Sequence, residues 1–270
     1  MKTAVSLALQ EDSGFSPFPA AHFAEGVAWA GELGVDAAEL IILDPNQVDA
    51  DALLALLGKH NLAVATLATG QMAGKGLYFC SPDASARESS VKRICDHIDL
   101  STRIGKPNVT IGLARGKGSD DASQRQIEYN RILECVRRCG AYAAEKDVVI
   151  NLEPLNRYET YYLHSSGETV EMIEKADCPS HVGVLYDTFH SNIEDADMAA
   201  TVERHIKNIV HVHFADSNRM TPGSGHTDFT AVANVLRKHN YKGYVSLEVL
   251  NAPDAAFVRN NASAFVSLAR

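Results

Sequence analysis

The sequence lacks long hydrophobic runs and has few cysteines. No apolar stretch approaches the roughly 18 residues that cross a bilayer, which argues against an integral membrane protein. The opening residues, MKTAVSLALQEDSG, contain no small-residue cleavage pattern, so they indicate a first strand and not a signal peptide. The five cysteines are odd in number and form no CxxC motif. They favour a protein of the reducing cytoplasm over one with a disulfide framework.

The sequence also lacks the basic charge typical of nucleic-acid-binding proteins. Its 270 residues contain 25 Lys and Arg against 34 Asp and Glu, a formal net charge of −9. Proteins that bind nucleic acid normally present a basic stripe that neutralises phosphates. The acidic balance therefore argues against a nucleic-acid partner.

Eight short apolar or β-branched runs alternate with longer amphipathic stretches. The predicted strands cover residues 3–9, 37–43, 62–68, 108–114, 148–154, 182–187, 209–215 and 244–250. Helical periodicity is clearest over residues 20–34, 90–105 and 126–146. Apolar strands separated by helices predict a parallel sheet, and eight such units fit an α/β fold of the (β/α)₈ TIM-barrel type, with residues 1–270 as one domain. The alternative, a doubly wound open sheet, usually has a GxGxxG loop after its first strand, which LALQEDSGFS lacks.

Local signals mark the predicted helix ends. Gly34 and Gly105 follow periodic runs, where a helix C-terminus favours a residue that can take a positive φ. Asp51 and Asp228 precede periodic runs, as N-cap residues do.

Polar side chains cluster where the last four predicted strands end, which is where a TIM barrel carries its catalytic groups. They are Glu153, Asp187 with His190, His213 with Asp216 and Arg219, and Glu248. A carboxylate among apolar residues is costly to bury without compensation. Salt bridges at the barrel mouth are one explanation, but the sequence offers few cations nearby. A divalent metal is the preferred one, and three carboxylates with one imidazole suit Mn²⁺, Mg²⁺ or Co²⁺.

Several segments carry a family resemblance. LEPLNRYET, DTFHSNIED, HVHFADSNRMTPGSGHTDF and GYVSLE resemble the signature of xylose-isomerase-like sugar isomerases and epimerases. The nearest group is the ketose 3-epimerases, which include epimerases of keto-sugar acids. LATGQMAGKGLYF and IGLARG resemble the same group, so the resemblance extends over most of the chain from about residue 60. It implies a metal-dependent enzyme, with Mn²⁺ preferred, that acts on a sugar or keto-sugar acid as a homodimer or homotetramer.

The resemblance also assigns residues. It implies that the metal is bound by Glu153, Asp187, His213 and Glu248, and that the substrate is contacted by Glu159, His190 and Arg219. For Arg219, the alternative is a loop arginine paired with Asp216.

Two further residues are predicted from their position at strand ends. Gln71, at the end of strand three, is expected to hydrogen-bond sugar hydroxyls. Arg115, after strand four, is expected to bind a substrate carboxylate, with a solvated loop residue as the alternative.

Inversion of a carbon beside a ketone requires removal of a proton and its return on the opposite face. The hypothesis is that Glu153 and Glu248 are the two bases and that the metal stabilises the enediolate. A 1,2 aldose–ketose isomerase would use the same metal set with one base. A metal-dependent endonuclease that acts on abasic DNA and a non-catalytic binding module are further alternatives. The acidic charge argues against the endonuclease, and the two glutamates argue against the binding module.

The segment HVHFADSNR separates by strand alternation into residues of different predicted roles. His211 and His213 point inward, with His211 one layer deeper as a hydrogen-bonded core residue. Glu39, in strand two, is expected to line the mouth or pair with a lysine and falls outside the predicted site. Phe15 and Phe18 are expected to pack within their loop, with an apolar wall over the sugar as the alternative.

Overall fold

Eight parallel strands close into a barrel in the computed structural model, which describes residues 1–178 and 180–269. Each strand pairs with its neighbour in chain order, and the last pairs with the first. The strands are Lys2–Ala8 (β1), Ala37–Ile41 (β2), Ala63–Ala68 (β3), Asn108–Ile111 (β4), Ile150–Leu152 (β5), Val182–Asp187 (β6), Ile209–Phe214 (β7) and Tyr244–Leu247 (β8). The predicted (β/α)₈ fold is confirmed, and the doubly wound alternative is wrong.

Helices connect the strands on the outside of the barrel. Within the described residues they are Phe23–Leu33 (α1), Ala50–Lys59 (α2), Ala84–Arg103 (α3), Arg125–Lys146 (α4), Ser166–Lys175 (α5), Thr188–Glu194 (α6), Met198–His205 (α7), Phe229–Lys238 (α8) and Ala255–Ala269 (α9). The helices predicted over 20–34, 90–105 and 126–146 correspond to α1, α3 and α4. None of the helices described is long and apolar enough to cross a membrane.

Capping side chains explain where the helices begin. Asp228 accepts a hydrogen bond from the N–H of Ala231 and caps α8 as predicted. The N-cap of α2 is Asp49 and not Asp51, because the Asp49 carboxylate accepts from two main-chain N–H groups at the start of the helix. Asp51 lies in the first turn, so its prediction as a cap is wrong. Gly34 ends α1 with a φ of 80°, as expected.

Alternation along the strands separates an apolar layer from a polar barrel interior. Most leucine, isoleucine and phenylalanine side chains of the strands belong to the main core, among them Leu40, Leu67, Ile111, Leu152 and Phe214. The interior instead contains a hydrogen-bonded set in which the Thr110 hydroxyl contacts the Thr66 hydroxyl at 2.8 Å and the Asn151 amide at 2.9 Å. The polar interior continues upward to the carboxyl ends of the strands, where the candidate site lies.

Candidate metal centre and substrate cavity

The carboxyl ends of β5 to β8 bring three carboxylates and one imidazole together. Glu153 and Glu248 directly follow β5 and β8. Asp187 ends β6 and is in register with His213 of β7. The four side chains each offer an atom within 4.8 Å of the others. Nδ1 of His213 lies 3.2 Å from Oε2 of Glu248, 3.4 Å from Oδ2 of Asp187 and 3.6 Å from Oε1 of Glu153.

Two atoms of this cluster are buried without a hydrogen-bond partner among the described residues. They are Nδ1 of His213 and Oε1 of Glu153. Buried polar atoms normally have a partner, and these two face the other carboxylates of the cluster. One imidazole nitrogen with carboxylate oxygens is a donor set that divalent cations such as Mn²⁺ accept. The residues present therefore fit a divalent metal.

Glu39 of β2 contacts Nε2 of His213, the ring nitrogen that faces away from the acidic cluster. Its Oε2 lies 3.1 Å from Nε2 of both His211 and His213, and all three side chains are fully buried. Nε2 of His211 also lies 3.0 Å from the Ser246 hydroxyl. A carboxylate at Nε2 favours the tautomer with the proton on Nε2, which leaves Nδ1 of His213 free to bind a metal. The prediction that His211 is a hydrogen-bonded core residue is confirmed, whereas the expectation that Glu39 lines the mouth or pairs with a lysine is wrong.

The charges of these groups are strongly coupled. Burial opposes ionisation of Glu39, but the His213 charge and hydrogen bonds from both imidazoles hold the pKa of Glu39 well below its usual range. Burial likewise opposes protonation of His213, but the charges of Glu39 and Glu248 raise its pKa well above the ordinary value. Burial raises the pKa of Glu153 to about 7, and the charge of Glu248 contributes to the rise while the charge of His213 opposes it. The surroundings of His213 therefore favour positive charge.

Arg219 lies against the acidic cluster. Its guanidinium donates to Oδ2 of Asp187 at 2.8 Å and to Oε2 of Glu248. It packs against Phe15 and Phe189, with 5.1 and 4.8 Å to the ring centroids. The few cations expected near the acids thus include Arg219, which pairs with two of them.

The Asp216 side chain binds main-chain groups of its own loop and does not pair with Arg219. Its carboxylate accepts hydrogen bonds from the main-chain N–H groups of Ser217, Gly223, Gly225 and Thr227. The alternative in which the side chains of Asp216 and Arg219 pair is wrong. Asp216 instead organises the loop that carries Arg219.

A cavity of about 300 Å³ lies over the acidic cluster. Its lining includes Glu153 and Glu248 from the cluster, together with Phe15, Gln71, Glu159, His190 and Arg219. The cavity thus brings four of the five predicted substrate-binding residues to one space. Phe15 lines it, while Phe18 packs against Trp29 with ring centroids 5.7 Å apart, so the expectation of loop packing holds for Phe18 and not for Phe15.

His190 is oriented by Asn156. Nδ1 of His190 lies 3.2 Å from the main-chain N–H of Asn156 and 2.8 Å from its side-chain nitrogen. Nδ1 therefore accepts, and the ring proton is on Nε2, which lies 3.7 Å from Oε1 of Glu153. Burial lowers the pKa of His190 to about 3, and the nearby positive charge of Arg219 contributes while Asp187 opposes. His190 is thus a neutral hydrogen-bond donor directed toward the cavity.

Gln71 and Glu159 both form part of the cavity wall. The Gln71 amide nitrogen donates to the main-chain oxygen of Glu11 at 3.0 Å, which ties the turn after β3 to the loop after β1. Glu159 accepts from the side-chain nitrogen of Asn156 at 3.1 Å. The same asparagine therefore fixes both Glu159 and His190.

Comparison with known proteins identifies the family. A family model described as a xylose isomerase-like TIM barrel matches residues 27–265. The chain belongs to this family. Similar curated proteins include L-ribulose 3-epimerase from Methylomonas sp., 29% identical over 229 residues that cover 85% of this chain and 79% of that enzyme. The 3-dehydro-D-guloside 4-epimerase from Escherichia coli is 35% identical over 168 residues, 60% of this chain and 64% of that enzyme.

A third relative matches over a shorter region. D-psicose 3-epimerase from Enterocloster bolteae is 33% identical over 126 residues, 47% of this chain, and the match spans only 42% of that enzyme. Among solved structures, L-ribulose 3-epimerase has a TM-score of 0.84 at 24% identity, covering 100% of this chain and 94% of that chain. The predicted family and isomerase class are confirmed for this xylose isomerase-like barrel.

Arg115 is the predicted substrate-binding residue that does not line the cavity. It has no exposed surface. Its guanidinium donates to the main-chain oxygens of Gly112, Glu153, Tyr162 and Leu163. These bonds hold the loops after β4 and β5 together. Both the expected carboxylate contact and the solvated alternative are therefore wrong.

Sequence reasoning also missed Glu39. Its one signal is an acid within the otherwise apolar strand AAELIIL. Alternation places Glu39 on the barrel interior, where an ionised carboxylate requires partners. The register pairs Glu39 with Ser6 and Thr66, and the histidines come from across the barrel.

Proposed function

We propose that the protein is a divalent-metal-dependent epimerase that inverts C3 of a ketose or keto-sugar acid. The observation that carries the proposal is that Glu153 and Glu248 line the same cavity while both lie beside Nδ1 of His213. Two carboxylates that extend from β5 and β8 can approach one carbon from different sides. Relatives named as ketose 3-epimerases support this reaction class.

The proposed metal ligands are Glu153, Asp187, His213 and Glu248. The mixed oxygen and nitrogen donors favour Mn²⁺, with Mg²⁺ or Co²⁺ as alternatives. When bound, a divalent cation supplies positive charge that stabilises the enediolate by several kcal/mol. Glu39 supports the site through its hydrogen bond to Nε2 of His213, which keeps Nδ1 directed at the three acids.

The proposed proton transfers use the two glutamates in turn. One carboxylate removes the C3 proton, and the electron pair of the broken C–H bond passes into the adjacent carbonyl to give the enediolate. The other glutamate, in its protonated form, returns a proton to the opposite face of C3 as the carbonyl re-forms. The first glutamate ends protonated and the second ionised, so the next turnover can run in the reverse sense.

The remaining cavity residues would hold the sugar. His190 offers its Nε2 proton to a substrate oxygen, and Arg219 offers guanidinium protons. Glu159 accepts from hydroxyls, and Gln71 offers its Oε1, a buried atom without a hydrogen-bond partner in the described part of the chain. These contacts would fix which carbon lies between the two glutamates.

A second candidate reaction is inversion of C4 in a 3-keto-glycoside. The observation that favours it is the 35% identity to the 3-dehydro-D-guloside 4-epimerase. The chemistry is the same, since C4 adjoins a C3 ketone as C3 adjoins a C2 ketone. A 1,2 aldose–ketose isomerase is less well supported, because it needs only one of the two glutamates.

Substitution of Glu248 tests the assignment. Glu248→Gln should abolish epimerisation of D-psicose and L-ribulose in the presence of Mn²⁺, with loss of at least about 10³-fold, because one proton-transfer group is lost. Glu145→Gln, an exposed position on α4, is the matched control and should retain full activity. Wild-type turnover by Glu248→Gln would rule out the two-base proposal.

We further propose that the protein functions as a homodimer or homotetramer in a reducing cytoplasm. The five cysteines are all free thiols in the structure, which suits that compartment. Sedimentation of the purified protein tests the oligomeric state, and a monomer at micromolar concentration would contradict it.

A further inference from the structure

A second cavity adjoins the substrate cavity on the same face of the barrel. Its volume is about 610 Å³. It is formed by the turns that follow β3 and β4, Gly70–Lys75 and Leu113–Arg115, together with the segment leading into α4. Gly70, Gly74 and Leu113 line both cavities. The two spaces therefore share a boundary.

Glycine leaves this boundary open. A Cβ atom at Gly70 or Gly74 would meet no atom within 4 Å, so neither position is closed by a neighbouring group. Leu113, the third boundary residue, is 41% exposed and does not seal the space. Gly70, Gly74 and Leu113 thus form the boundary that a substrate extending beyond its reacting carbons would cross.

Two cations line the second cavity without an acidic partner. Within the described residues, neither Lys117 nor Arg131 forms an ion pair. Nζ of Lys117 lies 5.9 Å from the Tyr161 ring centroid, and the Arg131 guanidinium has only a 3.4 Å contact with the main-chain oxygen of Cys80.

The acid in the lining is already engaged. The carboxylate of Glu128 accepts from the N–H of Ser119 at 3.0 Å and from the Tyr162 hydroxyl. Both hydrogen bonds end on Oε2, and within the described residues Glu128 forms no ion pair with Lys117 or Arg131. Unpaired lysine and arginine side chains in a concave site are suited to bind carboxylate or phosphate oxygens.

We propose that the substrate carries an anionic group beyond its reacting carbons and that Lys117 and Arg131 bind this group in the second cavity. The inference rests on the proposed function, since it concerns the substrate of the same site. It gives to these two residues the carboxylate-binding role that sequence position alone predicts for Arg115.

Three ketoses that differ only at C6 test the proposal. D-fructose carries a hydroxymethyl group there, D-fructuronate a carboxylate and D-fructose 6-phosphate a phosphate. Calorimetric titration of the Mn²⁺-loaded protein should show roughly tenfold or tighter binding of at least one anionic sugar relative to D-fructose, as expected for charge-assisted hydrogen bonds. The sugar that gains more affinity identifies the anionic group as carboxylate or phosphate.

Two substitutions locate the effect. Lys117→Met and Arg131→Met should each remove most of the preference for the anionic sugar and leave D-fructose binding unchanged. Lys117→Arg should keep the preference. Lys59→Met, which removes an exposed positive charge on α2, is the matched control for net charge and should behave like the wild type.

The outcomes separate this inference from the proposed function. Equal affinity of the wild type for all three sugars, or equal losses for all three in Lys117→Met and Arg131→Met, would overturn the anion site even if D-fructose is epimerised. Preferential binding of an anionic sugar that depends on Lys117 would support the site even if no sugar is turned over. In that case the proposed reaction alone would fail.

Discussion

The imidazole of His213 lies between acids, with Glu39 hydrogen-bonded at Nε2 and three carboxylates around the unpartnered Nδ1. Glu39→Ala removes the acceptor that fixes the ring and its tautomer. We expect Mn²⁺ affinity to fall by roughly 10- to 100-fold, the usual effect of losing such a supporting carboxylate. Titration calorimetry with Mn²⁺ measures the affinity of the variant and of the wild type.

Glu39→Gln provides the matched comparison. It keeps an acceptor oxygen near Nε2 of His213 but removes the charge, so it should recover part of the lost affinity. Circular dichroism should show that both variants are folded. Mn²⁺ binding by Glu39→Ala at wild-type strength would contradict the positioning role.

Arg219 competes with a metal for the same oxygens. Its guanidinium bonds to Asp187 and Glu248, two of the proposed ligands. Arg219→Met should therefore lower the melting temperature of the metal-free protein and tighten Mn²⁺ binding by roughly tenfold, because the uncompensated carboxylates then gain more from a cation. Weaker binding in this variant would show instead that Arg219 helps to build the metal site.

Residues at strand ends could be predicted, whereas their contacts could not. Glu153, Asp187, His213 and Glu248 were accessible from sequence because strand ends and side-chain alternation place them on one rim. The contact between Glu39 and His213 joins residues 174 positions apart, so no local pattern reports it. Arg115 is bound by main-chain oxygens, a kind of partner that residue identities do not specify.

Among the connecting elements, the loop after β7 depends on one carboxylate. Asp216 accepts four main-chain N–H groups of residues 217–227. Asp216→Ala should leave these donors unpaired and lower stability by about 1–3 kcal/mol, with faster proteolysis within the loop. Thermal unfolding and limited proteolysis measure the two effects.

Gly225 offers an independent test of the same loop. A Cβ atom there would lie 2.5 Å from Oδ1 of Asp216, so Gly225→Ala should loosen the loop as Asp216→Ala does. Gly58→Ala, where a Cβ atom meets nothing within 4 Å, is the control. Unchanged unfolding and proteolysis in both loop variants would mean that Asp216 does not organise the loop.

The eight strands were predictable, but several of their ends were not. Residues 108–114 are predicted as one β-branched or apolar strand, yet β4 ends at Ile111. The chain turns at Gly112, where an added Cβ atom would lie within contact distance of the Glu153 side chain. Apolar residues beyond this point, such as Leu113, line the cavities. The strand and the cavity-lining segment after it both contain apolar residues, so the hydrophobic pattern does not show where β4 ends.

At the scale of the whole molecule, the residues that stabilise the barrel and the residues of the candidate site lie in different layers. The apolar layer between strands and helices forms the core, while buried charge is concentrated in the barrel interior and at its mouth. This arrangement explains why the fold and the family could be predicted from patterns of alternation and from strand-end motifs. The substrate could not be predicted, because the loops after β1, β3 and β4 that line the cavity make contacts between residues distant in sequence.

Solvent deuterium at the inverted carbon tests the central claim most directly. Ketoses and keto-sugar acids incubated with the Mn²⁺-loaded protein in D₂O should give epimers that carry deuterium at C3, because the proton returns from a glutamate that exchanges with solvent. Glu248→Gln should incorporate none into the epimer. Inversion without deuterium at C3, or deuterium at C1 with aldose formation, would contradict the two-base epimerase and favour a different reaction on the same barrel.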